Sequence, residues 1–476
     1  MSSLDLARFY QACNPTKTLF IDPESSQQVD DEHYYIDFSS VRGGRITEEL
    51  ERTISLLSPD EPTCQLFTGH IGCGKSTELL RLKKKLEKDG FHVVYFKSSE
   101  DLVMADVGIT DILMTIAKQV NQNIEKIGLT LQPKKFHNLL KGAFEMLRRF
   151  EIAGNLLVPG IGEIKFGAEN ELTFEHGLGQ ITAIIRDSTD LRSHLRQYLE
   201  PRTDAIIEAI NQELLLPCIR ALKARGQRGL VVIIDNLDRI YNSPMSHMAR
   251  TQPEYLFVDR GEQLKALQCH LIYTIPAVLS FSSELMRLRE RFGCDPKVLS
   301  VVQVRDRSKD TYEPGINLLR QMVLARAFPT FSPAERLHKV LEVFESQEGL
   351  DRVCQASGGH TRSLLVMIRD CLQEGNLPIS TQCVAKVIRQ KQNALVRAIT
   401  DEQLETIKQV TRDQSIQGEA EYWALARNML VFEYHDEQGP WFGANPLILF
   451  EPESFHFGDN FLQRLAAMLN RQYRDE

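Results

Sequence analysis

The sequence predicts an α/β fold: a parallel sheet covered by helices on both faces, followed by a helical lid domain and a winged-helix domain. Three observations carry this. Short apolar runs alternate with helical periodicity over the first two thirds of the chain, as in a sheet built by crossover helices. Beyond Asp310 the strand-like runs stop and helical periodicity continues to Ala398. The remainder reads as two helices followed by a β-hairpin.

Element by element, a polar arm (residues 1–45) contains Tyr34-Tyr35-Ile36-Asp37-Phe38 and Val41-Arg42-Gly43-Gly44-Arg45. The core is expected over 46–308. It opens with a helix from Thr47 to Leu57, a strand at Cys64–Thr68 and a helix from Lys75, where Leu79, Leu80 and Leu82 fall at helical spacing. The β-branched and aromatic run Phe91–Phe96 is the second strand, and a helix follows over Ile109–Ile127. Residues 130–175 break the alternation and read as an insertion: a basic helical stretch around Lys134–Arg149, a Gly- and Pro-containing segment, then Glu163–Gly167 pairing with Glu171–Phe174 as a hairpin. A long helix over Pro201–Arg225 leads to the most apolar run, Leu230–Ile234, closed by Asp235; further strands are expected at His270–Ile275 and Lys297–Val304. The lid domain covers 309–399. The winged helix covers 400–476, with Thr400 and Gln403 forming a capping box, a helix over Glu421–Asn428, and strands Leu430–Tyr434 and Trp441–Ala444.

At 476 residues the chain is too long for one core. No apolar run approaches the roughly 20 residues that cross a bilayer, and the first residues lack a basic segment followed by an apolar one, so a soluble cytoplasmic protein with no membrane partner is expected. The nine cysteines are scattered without C-x-x-C spacing, which reads as free thiols. Net charge is -8, and its distribution is uneven: residues 401–476 hold six Lys/Arg against fourteen Asp/Glu, so all the excess acid lies in the C-terminal piece.

Gly69-His70-Ile71-Gly72-Cys73-Gly74-Lys75-Ser76 fills G-x-x-x-x-G-K-[ST] between an expected strand and an expected helix. Glycines let backbone N–H groups turn onto phosphates, the helix start adds partial positive charge, Lys75 reaches the terminal phosphates, and the Ser76 hydroxyl ligates Mg2+. Gly69, Gly72, Cys73, Gly74, Lys75, Ser76 and Thr77 are therefore the expected nucleotide contacts. Cys73 is either a redox-sensitive thiol near a helix N-terminus or a variable loop position. Asp235, at the tip of an apolar strand, is expected to hold Mg2+. Asp238, three residues on, is either a helix cap or the carboxylate that orients the attacking water.

This order of motifs resembles the AAA+/STAND class of P-loop ATPases, especially the branch that shares a lid and winged helix with origin-recognition ATPases. The resemblance spans most of residues 30–450. It implies ATP and Mg2+ as ligands, and it makes Thr274 the sensor 1 residue. It also makes Ser357-Gly358-Gly359-His360-Thr361-Arg362 the sensor 2 motif, with Arg362 touching the γ-phosphate. Among Arg287, Arg289 and Arg291, Arg287 is the favoured arginine finger to a neighbouring subunit, which implies a homo-oligomer through the core; a solvated helix face is the plain alternative. The residues Tyr35–Phe38 and Val41–Arg45 resemble the segment that packs on adenine. Where the commonest pattern has Glu directly after the Walker B Asp, this chain has Asn236, so hydrolysis is expected to be slow.

The expected function is a nucleotide-controlled conformational or assembly switch that engages a protein partner through the acidic winged helix. The alternative is a DNA-associated ATPase of the origin-recognition or transposition-regulator kind. Gripping duplex needs clustered Lys/Arg, whereas the expected recognition helix Gly418–Arg427 carries two acids and one base, so nucleic acid is not favoured. The stretch Lys134–Arg149 leaves a nucleic-acid contact open, although Leu139, Leu140, Phe144 and Leu147 give it an ordinary amphipathic pattern. A third reading holds nucleotide permanently as a structural part, without turnover.

Overall fold

The computed structural model describes residues 4–19, 31–129, 131, 133–152, 174–245, 250–397, 399–416 and 420–449. Its central sheet is parallel and contains β1 (Cys64–Gly69), β2 (His92–Lys97), β3 (Leu230–Asp235), β4 (His270–Thr274) and β5 (Lys297–Leu299), in the spatial order β2-β3-β4-β1-β5. β3 is buried at all six positions, its five apolar residues and the closing Asp235 alike. Its residues alternate between two cores: Val232 and Ile234 face one side, Val231 and Ile233 the other. A strand buried on both faces needs such an unbroken β-branched run, which is why it was the clearest strand in the sequence.

One face of the sheet is covered by helix Ile109–Lys126 and by the helices from Lys134 to Ala224. The expected helix over 201–225 is present as Thr203–Ala209 and Leu216–Ala224 joined through a wider π turn at Ile210–Leu215. Within the suggested insertion, helix Lys134–Ile152 buries Phe136, Leu140, Phe144 and Leu147 in the main core. The hairpin expected at 163–174 lies outside the described residues except for Phe174, which opens helix Phe174–Asp187 instead. The other face carries helix Lys75–Lys88 through Leu79, Leu82 and Leu86, together with Phe432, Tyr434 and Trp441 from the C-terminal hairpin.

The helical domain contains Glu313–Ala327, Gln347–Ala356, Thr361–Glu374 and Thr381–Val396 around one apolar core. The N-terminal arm belongs to that core: its helix Leu6–Ala12 inserts Phe9, and Cys13, Phe38 and Val41 join it. The last piece has helix Asp401–Asp413, helix Ala420–Arg427 and the antiparallel pair β6 (Val431–Asp436) and β7 (Gly439–Ala444). The capping box is present, with Thr400 and Gln403 exchanging side-chain-to-backbone bonds of 3.2 Å each. No helix among the described residues is long and apolar enough to cross a membrane.

The strand expected over Lys297–Val304 pairs with the sheet only as far as Leu299. Beyond it the backbone donors turn elsewhere. Val301 N–H goes to Glu433 O on β6, Val302 N–H to Gly359 O on the lid, and Gln303 N–H to Val41 O on the arm, each at 3.2 Å. The residue preference for extended backbone is real, but its partners come from three other parts of the chain.

Gly359 is positioned by the same junction. Its φ is +77°, and a Cβ there would lie 1.6 Å from Val302 O, so the substitution has no room and the wrong backbone. Gly359→Ala is expected to cost about 3 kcal/mol or more, whereas Gly349→Ala, whose added methyl meets nothing closer than 3.6 Å, should stay within about 0.5 kcal/mol of wild type. Thermal unfolding of the two variants beside wild type tests the contrast; equal melting temperatures refute it.

Candidate nucleotide-binding site

The chain leaves β1 at Gly69 and enters helix Lys75–Lys88 directly after Gly74. Gly69, Gly72 and Gly74 have φ of +147°, +95° and +107°. A Cβ on Gly69 would meet Leu299 O at 2.3 Å, and one on Gly72 would meet His360 Nε2 at 2.9 Å. Glycine is thus required by conformation at all three positions and also by close approach at two. Cys73 is fully buried in the core beneath the loop. Thr77, Ser76 and Gly74 line the cavity in front of it.

Lys75 is buried, and its ammonium donates to Gly69 O at 2.7 Å and His70 O at 2.8 Å while pairing with Asp238 Oδ2 at 2.9 Å. Burial works against its charge, but Asp238 outweighs that and holds the Lys75 pKa above its ordinary value. Asp238 therefore faces the Lys75 end of the loop. Its other oxygen, Oδ1, is buried without a hydrogen-bond partner among the described residues, as is Nε of Arg362; both residues line the cavity with Lys75, Ser76 and Asp235.

Asp235 is held from two sides. Tyr95 donates its hydroxyl to Oδ2 at 2.7 Å, and the Asn236 N–H reaches Oδ1 at 2.7 Å. Burial, and then the Asp235 carboxylate, keep the Tyr95 phenol protonated far above its ordinary range; a bond to Ser76 acts in the opposite sense. Tyr95 thus holds Asp235, with Ser76 near enough to act on the same phenol. A hydroxyl and a carboxylate are hard oxygen donors, and no cluster of three or more His, Cys, Asp or Glu able to hold a metal occurs among the described residues. That donor set fits Mg2+, which takes one or two protein oxygens and completes its shell with phosphate and water. Asn236 sits at φ +68°, a left-handed position that Asn tolerates better than Glu, and its amide donates to Ser99 Oγ at 2.9 Å.

The lid meets the loop directly. Thr361 Oγ1 donates to Gly72 O at 3.0 Å, Arg362 N–H to Gly72 O at 3.3 Å, and His360 Nε2 lies 2.9 Å from Ile71 O. Arm residues Tyr35, Phe38 and Arg42 line the same cavity, with Arg42 donating to Cys73 O at 3.0 Å. Thr274 and Arg287 do not line this cavity. Thr274 is fully buried, its Oγ1 donating to Ile234 O at 3.2 Å and accepting from Leu237 N–H at 3.0 Å, so it latches β4 to the end of β3 and is not among the cavity-lining residues. Arg287 is on helix Leu285–Phe292, half-exposed, paired with Glu284 at 3.0 Å and 4.0 Å from Asp259.

An aromatic stack is the feature that motif spacing did not reveal. Phe432 of β6 packs edge-on to His70 at 5.6 Å between ring centres and face to face with His360 at 6.0 Å. His70 Nε2 accepts the Glu433 N–H at 3.2 Å, and the Tyr434 hydroxyl donates to Gly358 O at 2.9 Å. A residue inside the phosphate loop, a residue of the helical domain and a strand of the C-terminal hairpin are thereby joined. The sequence signals available were the aromatic run Phe432–Tyr434 and a histidine inside the loop, and neither says what it touches.

A phosphate loop after β1, with β4 between it and the acidic tip of β3, is a P-loop arrangement, and the fold is AAA+-like, with a helical lid and a winged helix behind the sheet. No protein-family model matches the chain, and no curated protein matches it in sequence. Among solved structures it is similar to Cdc6p from Pyrobaculum aerophilum, at 11% identity over 94% of this chain and 98% of that one with a TM-score of 0.35. It is also similar to the Aeropyrum pernix ORC2 protein in its ADPNP–ADP complexes, at 14% identity, 89% and 92% coverage and TM-score 0.37. Drosophila ORC bound to DNA shares 12% identity, with 90% and 92% coverage and TM-score 0.32. At scores this low the likenesses decide nothing about function.

The buried titratable groups around Phe432 predict a pH optimum of stability. Burial, then Lys75, lowers the His70 pKa from 6.5 to about 4, and burial, then His70, lowers that of His360 to about 3. Below pH 6.5 the unfolded chain takes up two protons that the folded chain refuses, so stability falls with falling pH. Burial raises the Glu433 carboxyl from 4.5 to about 8, so the folded chain keeps a proton the unfolded chain has lost and stability falls as pH rises toward 8. The melting temperature should therefore peak near pH 6.5, and Glu433→Gln should flatten the alkaline side. A wild-type melting temperature that still rises between neutrality and pH 8 contradicts this.

Proposed function

We propose that this chain is an ATP-binding, slowly hydrolysing AAA+/STAND-like ATPase that acts as a nucleotide-controlled conformational or assembly switch. The carrying observation is that lid and wing both seat on the phosphate loop: Arg362 and Thr361 bond Gly72 O, and Phe432 lies between His70 and His360. A triphosphate that engages Lys75 competes with the loop carbonyls and Asp238 that now accept from it, and any loop adjustment is felt at His70 and Gly72. Contacts of a terminal phosphate with mobile elements are an established switching device.

In this reading the loop amides and Lys75 bind phosphate, Arg362 senses its terminal group, and Asp238 orients the attacking water with its free Oδ1. Ser76 and Asp235 would hold Mg2+, oriented by Tyr95; when bound, it neutralises charge on the β- and γ-phosphate oxygens. Slow turnover follows from Asn236, whose amide is committed to Ser99 and supplies no base. A homo-oligomer through the core, and a protein partner on the acidic winged helix, are parts of the same proposal.

The DNA-associated alternative agrees with the names of the three solved neighbours, one of them bound to DNA. Within the chain, Phe432, Tyr434 and Trp441 are turned into the ATPase core, which supports a wing used internally. A gel shift with the full chain on duplex DNA at physiological salt separates the two readings; micromolar binding favours the alternative.

Lys75→Ala should abolish nucleotide binding. Asp238→Asn keeps the side-chain shape but removes a negative charge beside the phosphate, so it should bind ATP at least as tightly as wild type and release phosphate on the order of a hundredfold more slowly. Wild-type phosphate release no faster than that of Lys75→Ala removes the word enzyme. Light scattering with ADP and with a non-hydrolysable ATP analogue is expected to show nucleotide-dependent assembly, and an unchanged monomer counts against it.

A further inference from the structure

The turn after β3 brings a second arginine to the phosphate end of the cavity. Asp235, Asn236, Asp238 and Arg239 all line it, and Arg362 enters from the lid side. The Arg239 side chain is exposed and makes no ion pair among the described residues, so its charge is free to meet a ligand at the cavity.

Its surroundings distinguish it from an ordinary surface arginine. Asp238, the adjacent acid, is paired with buried Lys75 at 2.9 Å. Arg362 carries a buried Nε without a partner among the described residues. Burial, and then the charge of Arg239 itself, hold the Arg362 pKa below its ordinary value, so the two guanidinium groups act on each other as like charges. The nearby carboxylate, Asp238, favours the Arg362 charge but is itself paired with Lys75 and does not outweigh burial and Arg239. Two cations at one cavity end are stabilised by an anion between them, and guanidinium groups suit phosphate oxygens through paired N–H donors. The backbone also fixes where Arg239 starts: its N–H donates to Asn236 O at 3.1 Å, closing a short 3-10 turn over Leu237–Arg239 directly beside Asp235.

We infer that Arg239 is a second in-chain cation for the terminal phosphate, acting opposite Arg362 to distinguish nucleoside triphosphate from diphosphate. This rests on the nucleotide reading above. It gives the site an arginine in cis on the core side and one on the lid side, so that recognition of the terminal phosphate closes the lid by bridging two groups that otherwise repel. It also means that this recognition is complete within one chain, whatever Arg287 contributes to a neighbour.

The test is calorimetric titration of the full chain with Mg2+ and either ADP or a non-hydrolysable ATP analogue, for wild type, Arg239→Ala, Arg239→Lys and Lys75→Ala. Arg239→Ala should weaken the ATP analogue about tenfold while leaving ADP within about twofold, the loss of one charge-assisted contact to phosphate. Arg239→Lys, which keeps the charge but not the paired donors, should fall between the two. Equal weakening of both nucleotides overturns the inference, because it marks a structural role, and so does an unchanged affinity for both. If wild type binds neither nucleotide, the nucleotide reading itself fails, and that result is distinct from failure at Arg239 alone.

Discussion

After Leu299 the backbone stops pairing with the sheet, and three consecutive N–H groups, those of Val301, Val302 and Gln303, are satisfied by the wing, the lid and the arm in turn. Buried backbone donors must find partners, so this segment fixes the three outer pieces relative to the core far more tightly than flexible linkers would. Gly359 has to be glycine because Val302 O occupies the space beside it. The carbonyl of Leu299 likewise stands where a side chain on Gly69 would be. The loop at the end of β1 and the junction at the end of β5 therefore share one wall.

That shared wall explains why the lid and the wing reach the phosphate loop at all. Tyr434 bonds the carbonyl of Gly358, and Phe432 fills the space above it, so the wing approaches the lid where glycine leaves room. Phe432 is fully buried, and truncating such a ring costs about 3–5 kcal/mol. The stack with His70 and His360 adds about 1 kcal/mol per aromatic pair. Energy of that size, located on the loop, is what a binding event there would have to work against or draw upon.

Local chemistry was legible in the sequence. The glycines of the loop, the all-apolar β3 with its terminal Asp235, and the Thr400 capping box depend on neighbours a few residues away, and spacing reports such neighbours faithfully. Long-range partnerships were not legible. Thr274 stands at the end of a core strand as expected, yet its hydroxyl is consumed by Ile234 and Leu237. Tyr95 read as one aromatic in a strand, and its bond to Asp235 spans 140 positions. The run Lys297–Val304 read as one strand because extended backbone looks the same whether its donors serve a sheet or three separate elements. Asn236 read as a missing catalytic acid, and the left-handed backbone there supplies a conformational reason for its identity.

The contact between Phe432 and His70 also bears on how alleles of this protein would be interpreted. The two residues are 362 positions apart, yet they touch at the nucleotide loop. Lesions in the wing strand would therefore sort genetically with lesions in the loop. Complementation maps drawn on linear position would place them in separate functional units, whereas suppressors selected against one should arise in the other.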